Sequence, residues 1–210
     1  MTTPLPPRKP RRLSPDIRRD ALLDAAYAQF NRHGYTDARM DEVAKSAGVS
    51  KGTIYLYFPT KEALFEALLR RDVVPRLERI LFILRHYNAP LSWLLYRVAG
   101  FAGGKIDSDT LPVYPKLLVR EAARFPELAR FYHEEVIGVV LDALSGLFGR
   151  AMARGEIRQG DPAMAAHLFL APFVKAMLWH FTFGPVAASP FPARAYLRAH
   201  VDTFLRGQKP

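Results

Sequence analysis

Read for the spacing of its apolar positions, the chain is helical from residue 14 onward, and no segment sustains the apolar-polar alternation of a half-buried strand. Ser14-Pro15-Asp16 has the form of a helix start. It offers a hydroxyl to cap, a proline that is tolerated in the first turn, and a carboxylate near the positive end of the helix dipole. Ile17, Ala21, Leu22, Ala25, Ala26 and Phe30 then fall on one buried face, and Gly34 is placed to stop the helix. Short helices are expected over about residues 40–47 and 51–57, and a long one from Thr60 to about residue 86, ended by Asn88-Ala89-Pro90. Further helices are expected over about 90–101, 110–123, 126–154, 161–183 and 190–206. Their separators are Gly103-Gly104, Phe125-Pro126, the stretch from Gly155 to Pro162, and that from Gly184 to Pro192. Pro172 interrupts the 161–183 pattern and predicts a kink. The expected fold is all-α: an N-terminal three-helix unit joined by a long helix to a larger C-terminal helical bundle. The expected divisions are an arm over 1–13, a first domain over 14–60 and a second over 61–210.

Composition adds limits on chemistry. Half of the 210 residues are hydrophobic, enough for a sizeable core. The chain has no cysteine, which excludes a disulfide framework, a thiolate zinc site and a cysteine nucleophile, and fits a reducing cytoplasm. Its net charge of +10 and pI near 10.0 favour a polyanionic partner. That charge does not locate a site, because residues 1–60 carry ten Lys/Arg against six Asp/Glu and residues 61–210 carry twenty against fourteen. The first residues are basic without an apolar run behind them, unlike a secretory signal. The apolar run 168–184 is interrupted by Lys175 and His180, so it reads as a buried helix rather than a span, and no membrane partner is expected.

The stretch "AGVSKGTIYLYFPTKEALF", residues 47–65, concentrates hydroxyls, phenols and lysines with no acid before Glu62. Two short helices crossing steeply need small contact residues and a turn residue free to take positive φ. Ala44, Gly48 and Ile54 meet that need, and Met40, Val43, Ala47 and Val49 complete the inner face. This is helix-turn-helix spacing. Ser50 is placed to cap the second helix, whose first turns carry Lys51, Gly52, Thr53 and Tyr55. In such a motif those turns reach base edges: lysine donates to guanine, threonine bonds a base or touches a thymine methyl, and glycine permits close backbone approach. Tyr57 and Lys61 are suited to phosphate oxygens, and Thr60 to capping the next helix. Tyr55 could instead pack against the first helix.

"GYTDARMDEVAKSAGVSKGTIYLYFPTKEALFEALL" resembles the DNA-binding domain of the TetR family of bacterial transcriptional repressors, over roughly residues 14–69. The resemblance implies an all-helical homodimer with an N-terminal helix-turn-helix and a C-terminal domain that binds an inducer and dimerises through its last two helices. It also implies that Ser50, Lys51, Thr53, Tyr55, Tyr57 and Lys61 are DNA-contact positions. Where the family has a pair of hydroxyl residues before its second helix, this chain has Ala38-Arg39, so either Arg39 makes a longer charged contact or Asp37 caps. "LLVREAARFPELARFYHEEV" and "RGEIRQGDPAMAAHLFLAPF" are similar to the regulatory domain of a subset of the family.

Arg8, Lys9, Arg11 and Arg12 form a basic arm that is either solvated or entered into a minor groove. The second half is rich in aromatic residues, most of them core, and a ligand cavity there would be walled by Phe101, Tyr114 and Phe173. His133-Glu134-Glu135 lacks the second histidine of a zinc motif, and neither a nucleophile elbow nor a phosphate loop is present. No metal, cofactor or catalysis is expected. The expected function is a ligand-responsive repressor. As a homodimer it would bind a palindromic operator in duplex DNA, pair through residues 161–183 and 190–206, and be released by a small apolar or aromatic inducer. The alternative is a non-specific DNA-binding protein without an inducer.

Overall fold

Ser14 caps the first helix with its side-chain oxygen, which accepts the Ile17 amide at 3.3 Å. The helix it starts, α1 (Pro15–Asp37), loses regular geometry at Gly34, whose φ of 79° lies in the left-handed region. The computed structural model describes residues 14–108 and 113–209. The basic arm over 1–13 lies outside the described residues. The chain divides into two compact units, Met1–Leu68 and Leu69–Pro210. Their boundary lies eight residues beyond the expected one, inside α4 (Lys61–Asp72).

In the first unit α1 packs on α2 (Met40–Ser46), and α2 on α3 (Lys51–Tyr57). Leu22, Leu23, Ala26 and Phe30 of α1 are buried, with Val43, Ala44, Ile54, Leu64 and Phe65. Phe30 stacks on Tyr35 at 5.5 Å, and Phe65 meets both rings edge-on at 5.9 and 5.7 Å. Ile17, expected in this face, is instead 55% exposed, because burial along α1 begins only at Leu22.

The expected single helix over 60–86 is divided at Val73, within the second unit, into α4 and α5 (Val74–His86). Pro75 is the cause: it has no amide to give the Arg71 carbonyl and its ring crowds that group. The expected stop at Gly103-Gly104 is absent, and α6 (Leu91–Asp107) runs through both glycines. A Cβ at Gly103 would lie 2.4 Å from the Arg194 Cα, so this glycine is where α11 (Ala193–Gly207) crosses α6 backbone to backbone. Asp107 then caps α11 from the neighbouring helix, accepting the Ala193 and Arg194 amides at 2.9 and 3.2 Å.

Between these helices lie α7 (Val113–Glu121), α8 (Pro126–Tyr132), a π turn (His133–Ile137), α9 (Gly138–Ala153) and α10 (Pro162–Thr182). Helix α10 continues through Pro172. Phe148, Phe169 and Phe204 form the aromatic centre of the bundle, with centroids 5.4 to 5.7 Å apart. The Lys175 ammonium lies 4.6, 4.0 and 4.5 Å from the ring centroids of Trp179, Phe191 and Tyr196, which pins the α10–α11 connection.

The expectation of a buried helix around 168–184 is corrected here. Residues 126–153 and 162–182 are each long and apolar enough, by length and composition alone, to cross a membrane. Two interruptions do not outweigh the apolar residues around them. Nor is α10 buried all round: Met164, Leu168, Val174 and Trp179 are exposed in the protomer. Its inner side, with Ala165, Ala166, Phe169 and Ala176, packs mainly on α9 and α11.

Candidate nucleic-acid interface

The turn between α2 and α3 depends on Gly48, whose φ is 68°. A residue with a side chain is strained there, so glycine sets how tightly the chain reverses. Val43, Ala44 and Ile54, each no more than 1% exposed, fill the contact between the two helices. Small residues at that contact let α3 lie close, and its other side is left to solvent.

Ser50 begins α3 as a capping residue: its Oγ accepts the Thr53 amide at 3.2 Å and lies 2.8 Å from the Thr53 hydroxyl. Lys51, Gly52, Tyr55 and Leu56 are exposed, and Thr53 and Tyr57 are half-buried. Tyr55 is 41% exposed, which leaves part of its ring on the solvent side of α3. The Tyr57 ring leans on Phe58 at 6.3 Å, and Phe58 carries the Arg19 guanidinium over its own face at 5.6 Å. Lys51 donates to Asp41 Oδ2 at 3.1 Å, and the Arg39 guanidinium reaches the same oxygen at 3.9 Å. Arg39 occupies the capping position of α2 but makes no side-chain cap. Its guanidinium is solvated, which leaves it available for a longer charged contact.

Lys61 is placed differently from its expected role at a phosphate. Its ammonium donates to the carbonyls of Tyr35, Thr36 and Ala38 at 2.7, 3.0 and 3.1 Å, and sits 4.7 Å from the Tyr35 ring centroid. Three donors are thereby used on the chain leaving α1. No local signal in the sequence could announce this, because the acceptors lie more than 20 residues away. Beside it, Thr60 caps α4 through the Ala63 amide at 3.1 Å, and the Tyr35 hydroxyl donates to Glu62 at 3.0 Å. Burial opposes ionisation of Glu62, but hydrogen bonds from its own amide, Thr60 and Tyr35, with the Lys61 charge, hold its carboxyl below the ordinary range.

The matches to known proteins fall on these two units. Residues 22–68 match the family model described as bacterial regulatory proteins of the tetR family, and residues 106–207 match the AefR-like transcriptional repressor C-terminal domain. A transcriptional regulator BetI from Serratia proteamaculans is 32% identical over 154 residues, covering 71% of this chain and 76% of that protein. The chain belongs to the TetR family. The regulator RutR of Escherichia coli K12 is 30% identical over 132 residues, 61% of this chain. The match spans only 54% of RutR, about half its length. Among solved structures, the flavonoid-responsive regulator FrrA superposes with a TM-score of 0.67 at 28% identity, covering 92% of this chain and 97% of that one. The family model is one of bacterial regulatory proteins, and RutR and BetI are transcriptional regulators. The chain's all-α plan of helix-turn-helix and helical bundle is that of the family.

The three residues expected around a ligand occupy different settings in the second unit. Tyr114 is buried and its hydroxyl donates to the Asp72 carboxylate. Phe173 is half-buried, 5.1 Å from Phe169 and 6.3 Å from the His200 ring. Phe101 is 66% exposed on α6, with the Lys105 ammonium 5.8 Å from its ring. Among the described residues no group of three or more His, Asp or Glu is arranged to hold a metal ion.

Proposed function

We propose that this TetR-family regulator is a ligand-responsive repressor in the cytoplasm that binds a palindromic operator as a homodimer. The observation that carries the reading is the Ser50-capped α3, turned out by Gly48, with Lys51 and Tyr55 on its exposed side. Ser50, Lys51, Gly52, Thr53 and Tyr55 are assigned to the groove, and Tyr57 and Arg39 to phosphates. Lys61 is assigned to holding the end of α1 rather than to DNA, since its donors are already taken.

Dimerisation through residues 161–183 and 190–206 is supported by the exposed apolar row of Met164 and Leu168 on α10. Helix α11 contributes a flatter strip, with Ala195, Ala199 and Thr203 exposed at intervals of four. For a two-fold dimer the half-site centres lie about one helical turn, ~34–36 Å, apart or a multiple of it. The inducer is assigned to the second unit. Tyr114 and Phe173 suit the wall of an apolar or aromatic site, as the flavonoid response of FrrA also suggests, whereas the solvated Phe101 suits it poorly. An inducer would act only through its differential affinity for DNA-competent and DNA-incompetent forms.

Selection of genomic fragments on the purified chain tests the reading. A repressor enriches one palindromic sequence and prefers it by roughly 10³-fold or more over random duplex at fixed salt. Uniform affinity for all duplexes would replace the proposal with a non-specific binder. Leu168→Glu should yield a monomer in light scattering and lose the operator, and an unchanged dimer would move the interface elsewhere.

A further inference from the structure

We propose that Leu56 reads the C5-methyl group of thymine in the major groove, giving the recognition helix an apolar contact point beside its polar ones. The inference rests on the DNA-binding reading above and goes one residue beyond it. Leu56 is 86% exposed, the highest value among the exposed large apolar side chains of the described residues. An isolated exposed leucine is ordinary on a protein surface, so exposure alone decides nothing. Its position decides more. Ile54 marks the inward side of α3 with 0% exposure. At about 100° per residue, Gly52 and Leu56 both fall near the opposite side, one turn apart on the same ridge. That ridge is the part of the helix farthest from the core it packs on.

The ridge has a distinct relief. A Cβ built on Gly52 meets nothing nearer than Ser50 Oγ at 4.0 Å, so the backbone is bare and open there. Side chains on a helix lean toward its N-terminus and cover the preceding turn. The Leu56 isobutyl group therefore lies toward the bare strip at Gly52. The polar groups of α3 lie to either side of this ridge, with Lys51 paired to Asp41 and Ser50 to Thr53 in exposed contacts. What the outermost ridge offers a groove is thus an apolar surface.

Major-groove chemistry limits what can receive it. Guanine, cytosine and adenine present hydrogen-bonding atoms there, and only thymine adds a methyl group. Leucine pressed on the other edges would strip their water and leave donors or acceptors unpaired, which is costly. Pressed on a thymine methyl, both apolar groups leave water together. The contact consequently favours thymine at one position and penalises the other bases.

The test uses the full chain and a duplex recovered from a random-sequence pool, re-synthesised by amplification with deoxyuridine triphosphate in place of thymidine triphosphate. This removes every thymine methyl and no hydrogen-bonding atom. Wild-type affinity should fall by about four-fold for each contacted methyl, with the salt slope unchanged. Leu56→Ala, whose site is solvated and whose fold should be intact by circular dichroism, should bind the thymine duplex more weakly and lose little further on the uracil duplex. Equal losses for wild type and Leu56→Ala would give the methyl contact to another residue, and no loss in wild type would show that there is none. Either result overturns the inference and leaves DNA binding standing. Absence of binding to any duplex at low salt would overturn the DNA reading and this inference with it.

Discussion

Replacing Lys61 by methionine separates a structural lysine from a phosphate-binding one. Methionine keeps most of the stem against the Tyr35 ring but removes the donors to Tyr35, Thr36 and Ala38. A hydrogen bond from a charged group contributes about 1.5–3 kcal/mol, but three acceptors sharing one ammonium do not add, and water can reach part of the site. Tyr35 and Ala38 are 0% and 3% exposed, so their carbonyls are not fully rehydrated. A loss of about 2–4 kcal/mol is expected. A unit of this size has a total stability of only about 3–10 kcal/mol. The units can be followed apart because both tryptophans, Trp93 and Trp179, belong to the second. Urea unfolding should show an early phase in the far-ultraviolet dichroism of Lys61→Met while the tryptophan transition holds its place. Superposable curves for variant and wild type, together with a DNA salt slope lowered by about one, would refute the argument and return Lys61 to a phosphate.

Three other perturbations have defined signs. Asp41→Asn releases Lys51 and Arg39 from a surface pairing that contributes less than about 1 kcal/mol, so stability should hardly move. Duplex affinity at low salt should rise by about two- to ten-fold as a carboxylate leaves the phosphate side, and unchanged affinity in fluorescence anisotropy would remove Lys51 from the interface. Gly103→Ala places a methyl 2.4 and 2.8 Å from the Arg194 Cα and amide nitrogen, so despite its better helix propensity it should cost about 1–3 kcal/mol in tryptophan-monitored unfolding. A stabilised variant would contradict the close crossing of α6 and α11. Burial lowers the His200 pKa from 6.5, against the pull of its hydrogen bond to the Phe169 carbonyl. Its contribution to stability is therefore complete above about pH 6.5 and lost as pH falls through that value toward the lowered folded one, and His200→Gln should flatten this part of the profile.

What could be read from the sequence, and what could not, follows the range of the interactions involved. The helix-turn-helix was legible to within a residue at α3 because its determinants are local: Gly48 for the turn, Ser50 for the cap, and Ile54 for the inward side. The family pattern lies on those same positions. Gly103 misled for the opposite reason. Between apolar runs a glycine pair reads as a stop, yet here the missing side chain admits the backbone of α11, 91 residues further on. Lys61 gives no local sign of its partners either, since a lysine early in a helix beside a DNA-facing segment looks free until its acceptors at the end of α1 are in place. Lys175 seemed to interrupt an apolar run, and three aromatic rings turn it into part of the packing. Leu56 passed unnoticed because a leucine in an amphipathic stretch is normally assigned to the core. Only the angle between it and Ile54 on α3 places it on the outer ridge, and that angle gives an apolar residue a reading in the groove that its hydrophobicity alone would have denied it.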